Sequence, residues 1–277
     1  YGTVGDDKLK GLNYAGFLQL DKKFFDKLNI SLGARIEHYE ITDTKAETKP
    51  VFRAGVNYQA AEYTYFRASF GQGYRFPTIA EKFISTSLGT AVAIIPNNDL
   101  TSETGMSAEF GIKQGLKVGK FNAFLDIAAF YSKYSNMMEF NPSTENLPEG
   151  FILGFQSQNV GNTQILGLET SIQGEGRIAN KFPTTLMMGY TYIAPKYLDW
   201  DKVEEGSSSE FNILKYRFRH MFTSSWDVNL RGFDLGVSAR YFSFMENIDA
   251  LFEVFIPGLT DYRVGKQKTE SIDNTKK

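Results

Sequence analysis

Apolar and polar residues alternate along most of this chain with a period of two. In LNISLGARIE, Leu28, Ile30, Leu32, Ala34 and Ile36 fall on one face, and Asn29, Ser31, Gly33, Arg35 and Glu37 on the other. VFRAGVNYQ sets Phe52, Ala54, Val56 and Tyr58 against Arg53, Gly55, Asn57 and Gln59. MSAEFGIK and FDLGVSARY repeat the arrangement, and no segment carries a helical period of comparable strength. Strict alternation is the signature of a strand with two different environments on its two sides. It predicts ten strands, near 12–22, 28–41, 50–59, 63–74, 104–114, 121–137, 151–175, 183–194, 211–227 and 232–246.

The connections between these strands sort into two kinds that alternate. Short ones are KKFFDK, AAE, LKVGK, GRIANKF and VNLR; long ones are 42–49, 75–103, 138–150, 195–210 and everything after Glu246. Short turns at one end and long loops at the other are the pattern of an antiparallel transmembrane β-barrel. The faces agree with this all-β reading. One carries Leu, Ile, Val, Ala and Phe, as a lipid-facing band requires. The other carries Arg35, Arg53, Arg67, Glu109, Lys113, Asp126, Glu169, Arg217, Arg219 and Arg240. A sandwich core would not hide so many ions, whereas a wet or plugged lumen accepts them. Tyr39, Tyr63, Tyr74, Tyr131, Tyr192, Trp226 and Tyr241 lie near strand ends, where interfacial aromatic girdles form.

Composition narrows the function. The 277 residues carry a formal charge of −2, which gives no global field for nucleic acid. There is no cysteine, so disulfides, zinc-thiolate sites and thiol nucleophiles are out. Mean hydropathy is −0.30, and no apolar run reaches the roughly 18 residues of a membrane helix. Only two histidines, His38 and His220, are present, and the strand pattern puts them at different heights and on different faces. No Ser-His or Asp-His constellation follows from that placement, so an enzyme is not expected.

GQGYRFPTIAEKF places Arg75, Phe76 and Pro77 at the end of a strand, with Ile79, Ala80 and Glu81 just after. Asn97, Asn98, Asp99, Leu100 and Glu103 follow before the next strand. This pair of segments resembles the FRxP…xE turn and the NPxLxPE box of TonB-dependent receptor barrels. NVGNTQILGLE, residues 159–169, is similar to the same family's Asn-x-Gly…Gly-x-Glu segment. The resemblance implies an integral protein of a Gram-negative outer membrane, built on a barrel of about 22 strands around an N-terminal plug. It implies active import of a scarce nutrient such as a ferric siderophore or cobalamin. The cargo, rather than the chain, would then carry iron or cobalt, and no cofactor is expected. Expected partners are membrane lipid and lipopolysaccharide, the receptor's own plug, the TonB complex acting through it, and a surface lipoprotein. On this reading, residues 1–277 are a partial barrel domain lacking the plug and the closing C-terminal strands. A passive porin and a surface-binding barrel are the alternatives.

Candidate ligand-binding residues are Arg75, Glu81, Asn97, Asn98, Tyr197 and Trp200, all in the long-loop regions. Arg75 either meets an anionic ligand or fixes its loop through Glu81 or Glu103. Asn97, Asn98 and Asp99 suit Asx turns at a strand re-entry. The loop interior, 78–96, is the best site for ligand or partner contact. It holds no histidine, whereas the resemblance implies one between the two motifs in a haem importer, and this argues against haem. Arg35, Arg53 and Arg67 either form a basic track for an anionic chelate or pair with neighbours such as Glu37 and Glu109. In 247–263 the apolar spacing predicts a short amphipathic helix.

Overall fold

The computed structural model describes residues 9–42, 44–143, 146–200 and 212–248. The strands, in chain order, are β1 (Gly11–Phe24), β2 (Leu28–Ile41), β3 (Glu47–Ala61), β4 (Thr64–Arg75), β5 (Thr86–Leu88), β6 (Val92–Ile94), β7 (Glu103–Val118), β8 (Phe121–Ser135), β9 (Met138–Ser143), β10 (Leu153–Asn159), β11 (Thr163–Ile178), β12 (Phe182–Tyr197), β13 (His220–Leu230) and β14 (Phe233–Phe242). One helix, α1 (Ile79–Phe83), lies between β4 and β5. Ten strands form one antiparallel sheet in the order β1-β2-β3-β4-β7-β8-β11-β12-β13-β14. Among the described residues no helix is long and apolar enough to cross a membrane.

The short turns close the sheet at one end. Phe25 and Asp26, Ala179 and Asn180, and Arg231 and Gly232 all have positive φ. Such backbone matches the right-handed twist of the flanking strands, which ordinary turns would splay apart. Gly232, at φ +96°, supplies this without steric cost.

The register turns the alternation into two continuous faces. Leu18, Leu32, Phe52, Phe70, Phe110, Ile127, Leu168, Met188, Trp226 and Val237 share the apolar face and are exposed. Tyr14, Tyr131, Tyr192 and Tyr241 mark its long-loop end, and Tyr58 and Trp226 its short-turn end. The girdle differs from the sequence expectation in three members, of which Tyr63 stands over Gly115 on the opposite face. Tyr39 and Tyr74 turn to the loop side, where both pack against Phe76.

The opposite face carries the ions, and Arg67 and Arg35 pair with carboxylates there. Arg67 donates to Glu109 at 2.9 Å and to both oxygens of Asp126 at 2.6 and 2.7 Å. Its guanidinium lies across Gly111, its cross-strand partner, where a Cβ would come within 2.7 Å. Arg35 donates to Glu37, which also accepts from Asn13 and from the Tyr74 hydroxyl. Arg53 lies over Gly33 and donates to Gln19. Arg240 stands on the same face opposite Thr223.

Two arginines of the expected inward set stand just before β13. Arg217 precedes β13, so strand parity does not orient it. Arg219 lies 5.6 Å from the ring centroid of Tyr192, donates to the Tyr192 hydroxyl at 2.8 Å and pairs with Glu246 at 3.0 Å. Tyr192 belongs to the opposite parity.

Three strands are shorter than the alternation predicts. The run 151–175 divides into β10 and β11 around Val160–Asn162, where Gly161 has φ +96°. The run 211–227 starts only at His220, after turns held by a Phe218–Met245 bridge. The last strand ends at Phe242. The helix expected in 247–263 falls almost wholly outside the described residues.

Gly176, at φ +155°, sits where β11 passes the β7–β8 turn. A Cβ there would meet Lys120 O at 2.2 Å and Phe121 Cα at 2.5 Å, both backbone. Gly176→Ala is therefore expected to destabilise the folded sheet by about 1–3 kcal/mol. The urea unfolding midpoint measures this, and an unchanged midpoint would contradict the packing described.

Candidate functional site

Nearly all the buried apolar residues lie at the long-loop end of the sheet. Ile41, Ala93, Ile95, Leu100, Met138, Leu153, Tyr197 and Leu214 are buried there, against Ala123 and Ala128 within the sheet. The long loops at 75–103 and 138–150 are thus folded objects. β5 and β6 from the first join β9 and β10 from the second in a four-stranded sheet, order β5-β6-β10-β9. The β6–β10 pair is parallel and unites segments some sixty residues apart. Gly154 admits Ile95 so closely that a Cβ would stand 2.3 Å from its Cδ1. The apolar stretch STSLGTAVAIIP therefore packs on another loop.

The turn after β4 anchors this platform. Thr78 caps α1: its hydroxyl accepts from the Glu81 N–H at 3.1 Å, while the Glu81 carboxylate accepts from the Thr78 N–H at 2.8 Å. This reciprocal capping box satisfies donors that a five-residue helix would otherwise leave open. Arg75 donates to the other Glu81 oxygen at 2.5 Å and stands 3.9 Å from Glu103, whose carboxylate accepts the Met138 N–H at 2.9 Å. Phe76 stacks on Tyr39 with centroids 4.6 Å apart, and the Tyr39 hydroxyl donates to Pro77 O at 3.0 Å. Of the two roles read for Arg75, the loop-fixing contacts are present.

Burial pushes the Glu81 pKa up. The hydrogen bond from the Thr78 backbone, those from Arg75 and the Thr78 hydroxyl, and the Arg75 charge together outweigh it, so the carboxyl sits below its ordinary value. A depressed carboxylate stabilises the fold at pH above its unfolded pKa and loses that contribution as pH falls through its folded pKa.

The second motif closes the platform from the other side. Asn97 donates through Nδ2 to Ser157 O at 2.8 Å and accepts from the Asp99 N–H at 3.1 Å in an Asx turn. Its own N–H reaches Lys82 O at 2.9 Å, and Lys82 Nζ reaches Leu100 O at 2.9 Å. Asn159 is the hub that sequence reasoning did not single out. It accepts from Thr101 N at 2.9 Å and donates to Thr101 O at 3.0 Å and Asn136 O at 2.8 Å. The signal for it was its place as the Asn of the Asn-x-Gly segment.

The candidate residues fall into two groups. Arg75, Glu81, Asn97 and Asn98 lie around the β4–α1 turn. The exposed Asn98 lines a polar cleft of about 780 Å³ with Lys45, Glu47, Lys82, Asp99 and Thr101. Tyr197 and Trp200 lie at β12, four strands from β4, or about 19 Å away at ordinary strand spacing. Tyr197 is buried, and its ring centroid is 5.8 Å from that of Trp200.

Residues 1–274 match the family model described as TonB dependent receptor-like, beta-barrel. Solved structures resemble the fold. The FrpB iron transporter from Neisseria meningitidis aligns with a TM-score of 0.54 and 16% identity over 85% of this chain and 33% of its own. The ferric enterobactin receptor PfeA from Pseudomonas aeruginosa gives 0.60 and 14% over 84% and 33%. The copper transporter OprC gives 0.61 and 16% over 84% and 34%. The chain thus spans about a third of the length of these structures. No curated protein sequence matches it.

The capping box predicts a pH response. Amide exchange at 81–84, corrected for intrinsic rates, is expected to rise as pH falls below the ordinary carboxylate range. In Glu81→Ala, which removes the acceptor for the Thr78 N–H and the Arg75 pair, it is expected to be raised about fivefold already at neutral pH, the usual worth of a helix cap, and to lose most of its pH dependence. Equal exchange in both proteins across the range would contradict the assignment.

Proposed function

Because the chain belongs to the TonB-dependent receptor-like β-barrel family, we propose that it forms an arc of an outer-membrane barrel importing a scarce nutrient at the expense of TonB-transmitted energy. The observation that carries this is the platform: two long loops knitted into one sheet and fastened to the barrel wall through Arg75, Glu81 and Glu103. Passive diffusion needs no such structure. A receptor that holds a ligand before admitting it needs rigid loops on a rigid scaffold.

The cargo we propose is a metal chelate or cobalamin-like molecule carrying iron, copper or cobalt. The polar cleft beside Asn98 is large enough for part of a ligand of that class and offers Lys45 and Lys82 with Glu47 and Asp99. Iron, ferric enterobactin and copper are the cargoes named for the similar structures, which is consistent with this class. The inner face, with Arg67 held between Glu109 and Asp126, would meet a plug through polar and ionic contacts. The exposed edges of β1 and β14 would pair with further strands of the closed barrel.

Uptake measured in cells supplied with a single limiting chelate tests the reading. Import abolished by a protonophore supports energised transport, and import indifferent to it would indicate a passive pore. Deleting Ile79–Pro96 is expected to abolish high-affinity binding while the barrel still inserts. Retained affinity in that deletion would contradict the assignment of the platform as the binding element.

A further inference from the structure

On the apolar face, Lys, Arg, Asp and Glu are confined to the strand ends. Following the register across all ten strands, that face holds Lys22 at the short-turn end, and Glu40, Lys133 and Lys196 at the long-loop end. Two of these stand together. Gln164 of β11 is opposite Lys133 of β8 on one side and Lys196 of β12 on the other. The lysines are therefore at one height, two strand spacings or about 10 Å apart. Neither has an ion-pair partner among the described residues. One pleat below them the surface is Tyr131, Leu166 and Ala194, and the Tyr131 hydroxyl reaches Gln164 Oε1 at 3.4 Å.

Beside Lys133 the wall opens. The β2–β3 ladder runs up to Tyr39–Glu47 and the β4–β7 ladder to Arg75–Glu103, yet β3 and β4 pair only as far as Arg53–Gly71. The sequence accounts for the break. Gln59 N–H bonds on the β2 side, so the even residues of β3 direct their N–H groups toward β4. Residue 50 is even and is proline, which has no N–H to give. The next even donor, Phe52 N–H, is taken by the side-chain Oε1 of Gln72 at 3.2 Å in place of a backbone carbonyl. The gap is a cleft of about 330 Å³ whose lining includes Gln72, Thr104, Met106, Lys133 and Ser135.

We propose that Lys133 and Lys196, with Gln164 between them and this cleft alongside, bind the phosphate-bearing headgroup of a lipid in the outer leaflet. Two unpaired ammonium groups bordering an apolar surface need an anion at the height where an aromatic belt marks the interface. Lysine carries three donors on a flexible stem, so both side chains can converge on phosphate oxygens above Gln164. The cleft takes the body of the headgroup, and the face below takes the acyl chains. The site rests on the reading that the sheet spans the membrane with its long loops outside.

The full chain, folded in neutral detergent, is titrated with diphosphoryl lipid A, with its phosphate-free counterpart and with inorganic phosphate, and retained lipid is read by native mass spectrometry. Retention of the diphosphoryl lipid is expected to fall about fivefold in Lys133→Gln and again in Lys196→Gln, and to stay unchanged in Lys22→Gln. The phosphate-free lipid is expected to bind all variants alike. Equal retention in the lysine variants, an equal loss in Lys22→Gln, or displacement by millimolar inorganic phosphate would overturn the proposal. A urea wash of membranes from the same cells separates the two readings. Wild-type protein stripped by urea would overturn the membrane-spanning reading and this site with it. Firmly inserted protein with no lysine effect would overturn the lipid site alone.

Discussion

Successive side chains on a strand point to opposite sides, and the rest of this molecule follows from that constraint. Ten strands in register cannot bury both faces against each other, so each face must suit its own solvent. One becomes a continuous apolar surface with aromatic edges. The other holds charge, part of it in pairs: Arg67 with Glu109 and Asp126, and Arg35 with Glu37. Glycines opposite the arginines, at 33 and 111, let the guanidinium groups lie flat on the wall instead of standing into the lumen.

A wall of this kind has almost no core of its own, and the burial that does occur is at the rim. There the loops do what the wall cannot. Ala93, Ile95, Leu100 and Leu153 are buried between β6, β10 and the strand re-entry, and the carboxylates of Glu81 and Glu103 tie that small core back to Arg75. Asn159 and Asn97 each donate a side-chain amide to a backbone carbonyl of the opposing loop. The functional rim is therefore a small folded unit on a scaffold, and its shape is fixed by polar side chains at its margins.

Much of this was legible beforehand. The ten strands, their alternating short and long connections and the placing of Arg67, Arg35, Glu37 and Glu109 on one face follow from a period of two. The platform was not, for a physical reason. β5, β6 and β9 are three to six residues long, and their pairing is nonlocal, so no periodicity within either loop announces them. The division of 151–175 was hidden because alternation runs straight through Gly161, whose positive φ breaks the strand without changing the pattern. Strand parity does not by itself orient Arg217 and Arg219, because both stand before the first residue of β13. Tyr39 and Tyr74 were counted as interfacial because position near a strand end does not say which side a ring takes.

The absence of cysteine makes one measurement direct. Single cysteines placed in turn at positions 106–113 of β7, spin-labelled in membranes, can be tested with molecular oxygen and with a water-soluble nickel chelate. The account predicts a period of two. Labels at Met106, Ala108, Phe110 and Ile112 should be reached by oxygen, and those at Ser107, Glu109, Gly111 and Lys113 by the chelate or by neither. Uniform access along the strand, or alternation of the opposite sense, would contradict it.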